Sequence, residues 1–339
     1  MREINTIVVG QGIAGSLVSY FLHLQKVSFI VIDPVHLNTS SRIAAGMFTP
    51  ISGKRKTTDQ LVFQQINYAI KIYREIELLL NSNLLHLENI YQIFNDKNEE
   101  EALISKSKNT ELVNTIAFNP DEIPFLKQPY GAHEILHSGW LNCNLFISQI
   151  TEWLKQTDSF LKADFVYSDL KIGESSMEYH DITCKNIIFC EGYQAINNPF
   201  FDEKIIPCKG DILTVEYKNL NTRKIIKKNG IYFIPTGENT FKAGSTYKWN
   251  NNSTCTDKES KLKIEEGLQN ILSNEFVTLE QQTAIRPTTI NRNVIAIKQP
   301  DYKGIFMLNG LGTKGVLQGP WWANEMVNLC LASQKSIEV

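Results

Sequence analysis

Gly10, Gly12 and Gly15, followed by Asp33, are the residues of this chain whose types and spacing suit one definite chemistry. They sit in the run Ile7-Val8-Val9-Gly10-Gln11-Gly12-Ile13-Ala14-Gly15. After an apolar strand, the first glycine permits a tight turn and the second lets the backbone approach a pyrophosphate. The third lets the next helix pack closely on the strand. Ser19, also small, keeps the following turn of that packing close. A second apolar strand, Phe29-Ile30-Val31-Ile32, ends in Asp33, whose carboxylate suits the hydroxyls of an adenosine ribose. Strand, glycines, helix, strand and acid in that order point to a dinucleotide, FAD or NAD. Its contacts are expected on Gly10, Gly12, Ile13, Ala14, Gly15 and Asp33.

Two further patterns carry chemistry on their face. Gly310-Leu311-Gly312-Thr313-Lys314-Gly315 repeats the glycine spacing after a strand and before a helix. No acid-terminated strand follows it, so a second nucleotide unit cannot be completed. Either the helix start turns its free amides and positive dipole end toward an electron-rich cofactor atom, or the glycines serve packing alone. His133-Glu134-Ile135-Leu136-His137 has the spacing of a zinc-protease helix. Pro129, Gly131 and Gly139 leave no room for that helix, and no third ligand is marked downstream. A strand with two surface histidines is expected there, and no metal.

The bulk numbers set the frame for these residues. The 339 residues are 42% apolar and 21% charged, an ordinary globular composition with enough length for two interleaved domains. A net charge of −2 argues against a nucleic-acid partner held by bulk electrostatics. The six cysteines form no CxxC pair, so buried, reduced thiols in a cytoplasmic protein are expected. The apolar N-terminus is read as the nucleotide-binding unit and not as a leader. No apolar run is long enough to span a membrane.

Helical periodicity marks residues 59–80, 97–108, 142–156, 257–272 and 313–332. Strands are expected at 89–94, across 164–190, and at 211–217, 231–236, 240–247 and 305–308. The fold class is α/β, with a Rossmann-like domain interrupted by an antiparallel-sheet, α+β substrate domain. Residues 1–85, 138–208 and 290–339 are assigned to the first domain, and 86–137 and 209–289 to the second.

With these motifs in order, the chain resembles the D-amino-acid oxidase and glycine oxidase family of FAD-dependent oxidoreductases, from residue 7 to about 320. Thr39-Ser40-Ser41-Arg42-Ile43-Ala44-Ala45-Gly46-Met47-Phe48-Thr49-Pro50 is similar to that family's flavin-contacting loop. Ile187 to Gly192 resembles its last cofactor-domain strand, and Pro207-Cys208-Lys209-Gly210-Asp211 its entry into the substrate sheet. Tyr232-Phe233-Ile234-Pro235 and Ala243-Gly244-Ser245-Thr246-Tyr247 look like its paired strands over the flavin. Ile285-Arg286-Pro287-Thr288 is similar to its "R-P-x-T" signature, and Gly310 to Gly315 with Pro320 to its closing motif.

The resemblance implies FAD as cofactor, held also by Ser41, Arg42, Ala44, Ala45, Gly46, Met47, Gly192, Gly310, Gly312, Thr313, Lys314 and Gly315. It implies hydride transfer from a small amine or amino acid to flavin N5, with oxygen or another acceptor as the electron sink. Arg286 would grip a substrate carboxylate, with Tyr232 as a second donor and Tyr247 beside it. Lys314 and the helix start would stabilise the negative charge of reduced flavin. Arg292 is a rival carboxylate ligand, and Lys54-Arg55-Lys56 is either a solvated loop or a basic mouth favouring acidic or phosphorylated substrates. Two other readings stay open: oxidation of a modified tRNA base, and a flavin-binding protein without oxidase turnover. Three departures from the family pattern also stand out. Asn291 lies near where an acid is common, Ile295-Ala296-Ile297-Lys298 lacks a closing glycine, and Glu191 replaces a small residue.

Overall fold

The computed structural model describes residues 1–51, 60–99, 101, 113–116, 124–127, 131–218, 220 and 222–335. Lys54-Arg55-Lys56 and most of the helix expected over 97–108 lie outside them; residues 97–99 and 101 are helical.

Among the described residues, the strands form two large sheets and a small three-stranded one. The first is built on five parallel strands in the order Phe160–Leu161, Phe29–Ile32, Arg2–Val9, Ile182–Phe189, Ile305–Asn309. All four residues of Phe29–Ile32 are buried, which is why that strand reads as an unbroken apolar run. Helices Ile13–Leu24, Cys143–Gln156 and Gly315–Lys335 cover one face, with Leu17, Phe21, Ile147, Leu154, Met326 and Val327 in a common core. Phe165, Tyr179, Phe189 and Phe200 form an aromatic layer elsewhere against the sheet, with Phe165 stacked on Tyr179 at 4.4 Å. The strands Leu170–Ile172 and Met177–Tyr179 extend this sheet, shorter than the 164–190 stretch suggested. Strand Ile295–Lys298 closes onto Ile305–Asn309 without a glycine.

Among the described residues, the second sheet has nine strands, with Ile206–Glu216 at its hub. That long strand pairs antiparallel with Val277–Thr288, Thr240–Gly244 and Lys248–Trp249. The sheet continues through Ile231–Gly237 and Ile225–Lys228 to Ile90–Ile93, Ala132–Ile135 and Val113–Ile116. A parallel pairing, Ile225–Lys228 with Ile90–Ile93, joins the two stretches of chain that contribute to it. One face packs through Ile212, Ile225, Tyr232, Ile234 and Ala284 against Ile43, Ala45 and Trp140.

Three expectations are corrected. The strand after Thr240 stops at Gly244 and not at Tyr247: Thr246 turns back, its hydroxyl accepting from the Asp211 amide at 2.9 Å. The HExxH stretch is a strand only to Ile135. His133 is buried against Phe94, because it shares a face with Ile135, while His137 lies beyond the strand with φ 54° and is exposed. Cys255 is exposed, whereas the other five cysteines are buried; all six are unbridged. Among the described residues, no helix is long and apolar enough to cross a membrane.

Candidate active site

A cavity of about 1140 Å³ opens where the parallel strands end and runs to the face of the second sheet. Open α/β sheets place ligands at these carboxyl ends. Val9, Ile32, Phe189 and Asn309 lead into Gly10, Asp33, Cys190 and Gly310, so four loops converge there.

The nucleotide end follows from the first fingerprint. A Cβ on Gly15 would stand 1.9 Å from the Gly10 carbonyl oxygen, so only glycine lets helix Ile13–Leu24 lie this close to its strand. Gly12 precedes the helix with no side-chain cap, and Ser41 Oγ accepts from the Ile13 amide at 3.0 Å. Gly10, Gly12, Ile13 and Ala14 line the cavity, and the free amides of a helix start suit an anion. Asp33 is fixed by two backbone donors, Gln11 N–H at 2.7 Å and Val35 N–H at 2.6 Å. This set fits a pyrophosphate next to a ribose.

Ser41, Ala44, Ala45, Gly46 and Met47 line the middle of the cavity. Lys242 reaches across from the second sheet and donates to the carbonyls of Ile43 (3.1 Å) and Ala44 (3.4 Å). Burial lowers its ammonium pKa, opposed by Cys143 and Glu280. Gly192, Gly312, Thr313, Lys314 and Gly315 close the opposite wall. Asn309 couples these two loops, donating to the Gly192 carbonyl and accepting from the Gly310 amide, both at 2.8 Å. The Gly312 amide donates to the Pro287 carbonyl at 3.0 Å, which sets the closing loop beside Arg286.

Three residues assigned to the cofactor do not line the cavity. Gly15 acts by close packing. Arg42 turns its guanidinium away, donating to Ser148 at 3.1 Å. Gly310 forms the turn at φ 73°, with Thr289 and Asn293 packed where a Cβ would be.

Tyr232, Tyr247 and Arg286 meet at the end of the cavity formed by the second sheet. Arg286 lies across the hub strand over Gly210, where a Cβ would come within 2.1–2.4 Å of the guanidinium. The guanidinium donates to Ser245 Oγ at 2.9 Å and to the Thr246 carbonyl at 3.1 Å, and sits 4.5 Å from the Tyr247 ring centroid. These contacts, together with a side-chain hydrogen bond to the Cys208 thiol, use part of its five-donor fork. Tyr232 is buried; burial raises its pKa, against the pull of Arg286, so the phenol stays a donor at neutral pH. Arg292, the rival ligand, is exposed, with its guanidinium 5.9 Å from the Trp249 ring centroid, and is not among the lining residues.

Several lining residues escaped sequence reasoning. Ser245 and Gly210 stood in quoted motifs but without a role, and Lys227 carried no signal that was used. Glu191 is a partly buried wall residue that accepts from the Tyr167 hydroxyl and from Asn198 at 2.8 Å. Burial raises its pKa despite those two bonds.

The family model described as FAD dependent oxidoreductase matches residues 5–329. The chain belongs to this family. Its flavin is therefore FAD, and the uncapped helix start, the backbone-fixed Asp33 and the glycine walls fit that cofactor. Solved structures share the fold across nearly the whole length of the oxidoreductase. Glycine oxidase from Bacillus cereus ATCC 14579 superposes with TM-score 0.82 at 18% identity, covering 98% of this chain and 96% of its own. Iminodiacetate oxidase from Chelativorans sp. BNC1 gives 0.83 at 16%, covering 97% and 95%. L-alpha-glycerophosphate oxidase from Mycoplasma pneumoniae, with FAD bound, gives 0.77 at 14%, covering 98% and 95%.

Proposed function

We propose that this oxidoreductase oxidises a C–N bond of a small amino acid or N-substituted amine to an imine. The observation that carries the reading is Arg286, held over Gly210 by Ser245, Thr246 and Tyr247 with Tyr232 alongside. A guanidinium fork beside a neutral phenol suits a carboxylate. The amine oxidations named for the first two structural neighbours suit the same geometry.

When bound, FAD supplies the two-electron acceptor for the substrate's α-hydride. The residues of the chain supply binding and orientation. Arg286 and Tyr232 anchor the carboxylate, which fixes where the α-carbon lies. Tyr247 is half exposed and stacks on the guanidinium, limiting its swing toward solvent. The amine enters neutral, so hydride loss leaves an iminium ion that gives its N–H proton to water afterwards, and no side-chain base is required. Lys314 and the start of helix Gly315–Lys335 favour the negative charge of the reduced cofactor. Residues 1–85, 138–208 and 290–339 hold the cofactor, and 86–137 and 209–289 present the substrate. Oxygen or another acceptor reoxidises the cofactor, and the protein works in the cytoplasm.

The purified protein is expected to be yellow and to bleach anaerobically with an amino acid or N-alkyl glycine, recovering colour when air is admitted. Failure of a broad amine panel to bleach the bound flavin would refute the reading and leave a flavin-binding protein without turnover. Bleaching by 2-hydroxy acids alone would replace C–N with C–O oxidation.

A further inference from the structure

We propose that Ser245 is a positioning residue that turns the Tyr232 phenol into a donor toward the cavity, so that the site takes carboxylates and rejects carboxamides; this rests on the reading of Arg286 as carboxylate ligand. Ser245 is buried and lines the cavity beside Tyr232 and Arg286. Its backbone is set by the strands around it. Gly244, the residue before it, opposes Tyr232 on one neighbouring strand and Ile212 on the other. Thr246, the residue after it, is tied to the hub strand. Its hydroxyl accepts from the Asp211 amide at 2.9 Å, and its own amide donates to the Asp211 carbonyl at 3.3 Å. Ser245 is thus held between the phenol and the guanidinium.

Two hydrogen bonds meet at the Ser245 hydroxyl, and their sense follows from the partners. Arg286 Nη2 lies 2.9 Å from Ser245 Oγ, and a guanidinium only donates, so Oγ accepts there. Ser245 also hydrogen-bonds the Tyr232 phenol. A serine hydroxyl has one proton to give, and the positive charge of Arg286 repels it. The proton therefore turns away from the guanidinium and onto the phenol oxygen. Burial raises the phenol's pKa and Ser245 opposes that rise, as a donor to its oxygen does. Among the described residues, no carbonyl or carboxylate accepts from the Tyr232 hydroxyl. Its own proton is left for a ligand in the cavity that Tyr232 lines.

The phenol then meets a ligand only as a donor, as Arg286 must. A carboxylate offers acceptors at both of its oxygens and suits both groups. A carboxamide of the same shape offers an acceptor at one end and N–H donors at the other. Bound across Arg286 and Tyr232, it sets its nitrogen against a donor whichever way it is turned. Without the Ser245 hydroxyl the phenol is free to rotate and accept from that nitrogen, and the distinction weakens.

The test titrates the FAD-loaded protein with two pairs of unreactive ligands, acetate with acetamide and butyrate with butyramide. Binding is followed by the shift of the flavin spectrum, or by displacement of a ligand that gives one. The wild type is expected to favour the carboxylate in each pair. Ser245→Ala should lower the carboxylate-to-carboxamide affinity ratio about five- to 20-fold, the worth of one bond lost and one gained, and Ser245→Thr should restore it. Tyr232→Phe should lower the ratio as well, and adding Ser245→Ala to it should change nothing further. A purely structural role for Ser245 would weaken both ligands alike. A ratio unchanged by Ser245→Ala, or a second fall of similar size in the double variant, would overturn the proposal while leaving Arg286 as the carboxylate ligand. Carboxylate affinity unchanged by Arg286→Met, or no carboxylate binding at all, would refute that reading and the role of Ser245 together.

Discussion

Gly210→Ala is the sharpest perturbation the geometry offers, because it tests Arg286 without touching it. A Cβ at Gly210 would lie 2.1 Å from Arg286 Nη1 and 2.4 Å from Cζ and Nη2, too near for any real contact. The obstacle is the far end of a flexible side chain, so the sheet survives and the guanidinium moves. Leaving its place costs the bonds to Ser245 and the Thr246 carbonyl and the stacking on Tyr247. A displaced fork no longer meets a carboxylate in two places. Losing one to two charge-assisted hydrogen bonds costs about 3 kcal/mol, a change of roughly a hundredfold in apparent affinity. The assay is anaerobic titration of the flavin with a carboxylate-bearing amine and with an unreactive carboxylate, after absorbance shows full FAD occupancy. Arg286→Met and the double variant complete the cycle: if Gly210 acts through Arg286, the double variant is no worse than Arg286→Met alone. Wild-type affinity in Gly210→Ala, or additive losses in the double variant, would refute the assignment of Arg286 as the carboxylate ligand.

Three further outcomes are expected. Gly15→Ala should release FAD and destabilise the protein by about 1–3 kcal/mol, read by cofactor retention on gel filtration and by urea denaturation, because its Cβ would strike the Gly10 carbonyl oxygen at 1.9 Å. Tyr247→Leu should weaken carboxylate binding roughly two- to fivefold while Tyr247→Phe does not, since the ring face and not the hydroxyl supports Arg286; equal losses in the flavin titration would contradict this. Glu191 has a pKa raised by burial above its ordinary 4.5, so the folded state holds its proton more tightly than the unfolded state does. Its contribution to stability is present below pH 4.5 and declines as pH rises through the folded-state value. The stability of Glu191→Gln relative to wild type should therefore climb with pH over that window in parallel urea titrations, and a flat difference would sink the idea.

The elements around the first glycine fingerprint were legible because their chemistry is local. Gly10, Gly12 and Gly15 act within one turn and the helix that follows it, and Asp33 ends a strand recognisable by its own apolar run. The closing glycines could not be decided locally, since only the bonds from Asn309 to Gly192 and from Gly312 to Pro287 make them a cavity wall. Arg42 does not line the cavity, for the reverse reason. It sits in the right loop, but the side chain follows Ser148 on a helix a hundred residues away in the chain. His133 was expected at the surface because strand periodicity says which residues share a face and not which face is covered.

The substrate end depends on register, and there the chain held more information than its motifs. Arg286 takes its place from the pairing of Ile206–Glu216 with Val277–Thr288, two segments some seventy residues apart, and no short pattern encodes that pairing. Lys227 is different. Asn229-Gly230 between two apolar runs is a strong local signal for a two-residue turn. That turn forces Lys228 opposite Ile231 and Lys227 opposite Tyr232 before any distant strand is known. Once Tyr232 is put on the face toward the cofactor, Lys227 must follow it. A motif names the residues that a family shares, whereas a turn fixes the neighbours those residues acquire in one chain. Lys227 opposite Tyr232 is such a neighbour.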